Sequence, residues 1–150
     1  MKKTDRISAF VDALGAEEDA VLDPRYTGFF TCFNTQRYYE AHDVLEDLWL
    51  KQRDEHYFFF KGLIQLAGAF VHLQKQAARP EHPKDGRRLH PAVRLFELSL
   101  ANLERYRPRH LQLDVDATCA LGAQFRDEIT ASEFTQNPWR PDRAPQLHLH

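Results

Sequence analysis

Between Tyr57 and Gln76 the chain is apolar around most of a helical circumference, with Phe58, Phe59, Phe60, Leu63, Ile64, Leu66, Phe70, Val71 and Leu73 leaving no broad face for water. A helix of that kind is stable only when other helices surround it, so the segment predicts the centre of a helical bundle. Its one interruption is a narrow strip of Lys61, Gly62, Gln65, Gly68, Ala69 and His72. The small residues of the strip admit a close neighbour, and the polar ones require partners. Uninterrupted apolar runs reach at most about half of the ~20 residues that cross a bilayer. No membrane span follows, and the first residues carry neither the apolar stretch nor the cleavage site of a signal peptide.

The preceding segment, Thr35 to Arg53, places Tyr38, Ala41, Leu45, Leu48 and Trp49 on one face at about 100° per residue. His42 falls inside that stripe and Glu46, one turn on, at its edge. Asn34 is the expected N-cap, and the run Lys51-Gln-Arg-Asp-Glu-His56, with no apolar position to bury, is the expected end. So short a connection makes the two helices antiparallel neighbours. With the turn centred near Asp54, His42 faces Gln65, Glu46 faces Lys61, and His72 comes level with Asn34 to Gln36. The pairs would then form a polar seam that fixes register, since a buried polar group without a partner costs about 1–3 kcal/mol.

The same residues admit two other readings. In one, His42 is a general base oriented by Glu46 in a pocket beside Tyr39 and Trp49, because an imidazole next to a carboxylate suits proton transfer near neutral pH. In the other, His42, Glu46 and His72 bind a divalent metal. His42 and His72 differ by about 10 Å along the axis at 1.5 Å per residue, so that site needs a register shift or a steep crossing.

The run from Phe33 to Trp49, with His42, Glu46 and Trp49 in the spacing His-x-x-x-Glu-x-x-Trp, is followed by Lys61-Gly-Leu-Ile-Gln65-Leu-Ala-Gly-Ala-Phe-Val-His72. Together these resemble the bacterial and archaeal family called domain of unknown function 309. The resemblance implies a small all-helical domain and carries no biochemical role with it.

Elsewhere the chain reads as one domain of 150 residues, long enough to bury ~68–70% of the surface of its unfolded form. Residues 1–22 predict a peripheral amphipathic helix through Ile7, Phe10, Val11 and Leu14. The bundle core spans 23–130. Asp23-Pro24 starts a helix carrying Tyr26, Phe29, Phe30 and Phe33. Gln74 to Gly86 is a polar loop broken by Pro80, Pro83 and Gly86. Helix resumes at His90-Pro91 as far as Tyr106, and Asp114 caps a last helix from Val115 to Ile129. Residues 131–150 form an extended tail that Trp139 anchors, with His148 and His150 at a frayed end.

A net charge of −2 argues against a general nucleic-acid binder. Basic residues crowd the second half, at Lys84, Arg87, Arg88, Arg94, Arg105, Arg107 and Arg109, where an anionic ligand or partner has a place to bind. Cys32 and Cys119 are isolated and predict free thiols rather than a disulfide or zinc knuckle. No phosphate loop, nucleophile elbow or internal repeat occurs. The sequence therefore predicts a soluble, cytoplasmic, all-α protein, a single-domain bundle around a central antiparallel helix pair. Its favoured role is a non-enzymatic binding or assembly module, a homo-oligomer among the options, with no cofactor unless the divalent-metal reading holds.

Overall fold

The computed structural model describes residues 22–150 and contains, among them, five α-helices and one two-stranded antiparallel sheet. The predicted amphipathic helix of residues 1–22, with Ile7, Phe10, Val11 and Leu14, lies outside the described residues apart from Leu22. Helix α1 is Pro24–Asn34, α2 is Tyr38–Lys51, α3 is Tyr57–Ala78, α4 is Leu89–Leu103 and α5 is Val115–Ala131. The all-helical fold expected from the hydrophobic pattern is what forms. No helix among the described residues is long and apolar enough to cross a membrane.

Local chemistry accounts for the boundaries. Asp23 caps α1 through its carboxylate, which accepts from the Arg25 amide, and Pro24 occupies the first helical position. Asp114 caps α5 by accepting from the Ala117 amide. Asn34, expected to cap α2, does not. It is the last residue of α1, and residues 35–37 turn the chain with Gln36 at a positive φ of 63° before α2 starts at Tyr38 without a side-chain cap. The Asn34 amide instead clasps the tail, donating to the Leu147 carbonyl and accepting from its N–H, both at 2.7 Å. Helix α3 continues two residues beyond Gln76, and α4 ends at Leu103 with Glu104–Tyr106 as a 3₁₀ turn.

Helix α3 is the hub, with Phe59, Leu63, Ala67, Ala69, Phe70 and Leu73 fully enclosed. Aromatic rings from α1, α2, α4 and α5 converge on it. Phe70 meets Phe33 at 5.4 Å, Tyr38 at 5.3 Å, Phe96 at 5.3 Å and Phe125 at 5.0 Å, mostly edge to face. The α4–α5 connection holds a hairpin of Arg109–His110 (β1) and Leu113–Asp114 (β2). Its two turn residues, Leu111 and Gln112, both take positive φ, the geometry of a type I′ turn usually given to Asn-Gly. Contacts from outside the hairpin hold them. The Tyr26 hydroxyl donates to the Leu111 carbonyl at 2.9 Å and the His150 N–H to that of Gln112 at 2.8 Å.

The tail runs back over α1, α2 and α3. Trp139 is 3% exposed and its indole N–H donates to the Tyr38 hydroxyl, while Asn137 donates to the Leu73 carbonyl. Its end is docked rather than frayed: Leu147 is buried and Leu149 bridges to Leu113.

Candidate functional site

The polar strip of α3 is where structure and sequence reading part. It faces α4, not α2. The Ser99 hydroxyl donates to the Gly62 carbonyl at 2.7 Å, and the Asn102 amide donates to Gln65 Oε1 at 2.7 Å. Gly68 lies against Leu95, and Arg88 approaches His72 Nδ1 at 3.1 Å while its own backbone N–H donates to Gln76. Gln65, His72 and Gln76 thus each meet α4 or the residue before it, while Gln74 turns away and donates to the Gln36 carbonyl at 2.9 Å. The expected pairs His42 with Gln65 and Glu46 with Lys61 do not form, because the rotation of α3 about its axis puts the small residues, and the closest helix approach, on the α4 side. Lys61 is half-buried and makes no ion pair among the described residues. His72 is gathered with Arg88 rather than with His42. Burial, and then the positive charges of Arg88 and Lys75, lower the pKa of its imidazole.

With the strip turned to α4, α2 buries Tyr38, Ala41, Leu45 and Leu48 and leaves Tyr39, Glu40, Asp43, Leu50 and Lys51 exposed. His42 and Trp49 occupy the flank between the buried face and the solvent. The His42 side chain is 31% exposed and that of Glu46 42%, with His42 Nε2 3.7 Å from Glu46 Oε2. His42 Nδ1 lies 3.1 Å from the Asp43 carboxylate. Both partners belong to its own helix. Trp49 stacks on Tyr57 at 5.1 Å, and its indole N–H is buried without a partner among the described residues. Tyr39, 58% exposed, stacks on the His42 ring at 6.3 Å, and Leu50 is 55% exposed. The line Tyr39, Asp43, Glu46, Leu50 follows i, i+4, i+7, i+11, a single outward stripe.

A second constellation escaped the sequence reading. His56, at the start of α3, places Nδ1 2.7 Å from Nε2 of His110 on β1, so one ring donates and the other accepts. Phe59 and Tyr106 pack on His110 at 4.6 Å and 4.7 Å, and burial followed by the neighbouring His56 lowers its pKa. His56 borders a cleft of about 180 Å³ lined also by Asp23, Tyr26, Gln52 and Leu111 among others. No sequence pattern links residues that far apart; only the hairpin brings them together.

Part of the basic second half is paired from within. Arg88 pairs with Asp85, Arg107 with Glu104 and Asp116, and Arg105 lies over the Phe58 ring at 4.4 Å. Cys32 and Cys119 are free, and burial raises the pKa of both thiols.

No curated protein and no solved structure shows a significant match to the chain. The helices that carry the outward stripe and the hub do match a known family model: residues 26–80, from α1 to just past α3, are similar to the family described as Domain of unknown function (DUF309).

Proposed function

We propose that the chain is a non-enzymatic binding and assembly module whose contact surface is the outward stripe of α2, with a second copy of the chain as its partner. The observation that carries this reading is the pairing of two large exposed apolar side chains, Tyr39 and Leu50, on one line with titratable residues between them. Surfaces of that make-up are self-complementary about a two-fold axis. An antiparallel second α2 sets Tyr39 of one copy against Leu50 of the other and brings Asp43 level with Glu46 across the axis, a pairing of two carboxylates that weakens the contact at neutral pH. The open setting of His42 favours contact over catalysis, since none of the four clefts lined by Asp23, Ser132, His90 or Gln146 and their neighbours includes His42 or Glu46.

One helix face is small beside the ~1,200–2,000 Å² of a stable interface, so the association is weak, in the micromolar range or above. Light scattering across a concentration series tests this. The wild-type mass is expected to climb toward twice that of the monomer, and Leu50→Glu to hold the protein monomeric without loss of helicity, because Leu50 is 55% exposed and stands outside the hydrophobic core. A wild-type protein that stays monomeric at several hundred micromolar refutes the self-assembly reading.

A further inference from the structure

We propose that His56 and His110 form a binding site for a divalent late transition ion of the nickel, copper and zinc group. The two facing nitrogens, His56 Nδ1 and His110 Nε2, come from different elements and converge to 2.7 Å. Each neutral imidazole keeps one hydrogen. When both hydrogens sit on the outer nitrogens, the two facing lone pairs are free to share a cation.

The Glu55 carboxylate favours that arrangement on one side. It lies 3.5 Å from His56 Nε2 and attracts the hydrogen to that nitrogen, as carboxylates behind metal-ligating imidazoles do. Oxygens of Asp54 and Glu55 and a ring nitrogen of His56 lie within 4.8 Å of one another, so carboxylate charge gathers around the His56 ring, although His110 is not in that group. Asp54 is held in place by accepting from the His56 backbone N–H at 2.9 Å and from the Gln52 amide at 2.6 Å. The neighbouring cleft, into which His56 and Gln52 both project, leaves room for water or a small anion to complete the coordination.

Two nitrogens bound at 2.0–2.1 Å stand about 3.3 Å apart at a tetrahedral centre and about 2.9 Å apart at a right angle. The observed 2.7 Å is the spacing of the hydrogen-bonded pair, so the rings part by at least about 0.2 Å to admit an ion. His110 lies beyond the segment shared with the family, so the site depends on the hairpin of this chain.

Titration calorimetry of the full-length untagged protein with Ni²⁺ tests the proposal. One equivalent is expected to bind. His56→Gln and His110→Gln each abolish saturable binding, Glu55→Gln weakens it by about 10–100-fold, and His42→Gln and His148→Gln leave it unchanged. Absence of saturable binding to the wild type, meaning a hydrogen-bonded imidazole pair only, overturns the proposal, as does binding that survives both histidine variants. Should those variants fail to fold, paramagnetic broadening by Ni²⁺ in the wild type decides. Broadening centred on the ring protons of His56 and His110 upholds the site, and broadening elsewhere rejects it.

Discussion

At the scale of single residues, the same side-chain chemistry gives different outcomes according to which neighbour arrives. His42 has only its own helix for company, through Asp43 and Glu46, and its side chain is 31% exposed. His42→Ala is therefore expected to change stability by no more than about 0.5 kcal/mol, the usual range for surface positions. Thermal melts check this, and a loss of several degrees would mean that the imidazole is held by the core after all. His72 is the contrasting case. Its imidazole has a folded-state pKa below the ordinary 6.5, through burial first and the charge of Arg88 second. The unfolded chain takes up that proton at a higher pH than the folded one. The stabilisation is thus complete above about pH 6.5 and is lost progressively as pH falls through 6.5 into the lowered range. Melting temperatures measured from pH 8 to pH 5 should fall on the acid side, and less steeply in His72→Gln. The histidines were visible in the sequence as interruptions of apolar patterns. Which of them would be enclosed was not, because a wheel gives the angle of a residue on its own helix and says nothing of what lies opposite.

At the scale of elements, the hydrophobic pattern carried most of the information. The circumferentially apolar run at 57–76 required a central helix, and Asp23-Pro24 and Asp114 marked true helix starts. Missed was the helix to which α3 offers its small-residue strip. Sequence proximity pointed to α2, whereas the strip packs on α4. Gly62 shows why the choice is physical. A Cβ there would lie 2.9 Å from Leu103 Cγ and Cδ2 and 3.3 Å from Asn102 Cβ, so α4 approaches closely enough to require glycine. Leu103 is buried and has little room to retreat. Overpacking of this kind costs about 1–3 kcal/mol, more than the ~1 kcal/mol that alanine contributes over glycine within a helix. Gly62→Ala should lower stability by about 1 kcal/mol in denaturant unfolding; a variant as stable as the wild type would place α4 farther from α3 than described here.

At the scale of the whole molecule, residues distant in sequence complete the fold. Asn34 clasps Leu147, Tyr38 accepts from Trp139, and His56 meets His110. None of these contacts follows from periodicity, since each joins residues more than 50 positions apart in the sequence, and for the same reason the hairpin and the docked tail end were illegible beforehand. The consequence for function is a division of labour: α3 spends its polar strip inward on α4, which leaves the His42, Glu46 and Tyr39 side of α2 to face outward. A double-mutant cycle tests that division most directly, comparing the coupling of Gln65 with Asn102 to that of Gln65 with His42, each residue replaced by alanine and stability measured by denaturant unfolding. The first pair should couple by about 0.5–3 kcal/mol and the second should be additive to within about 0.5 kcal/mol; strong coupling of Gln65 to His42 with none to Asn102 would contradict the account.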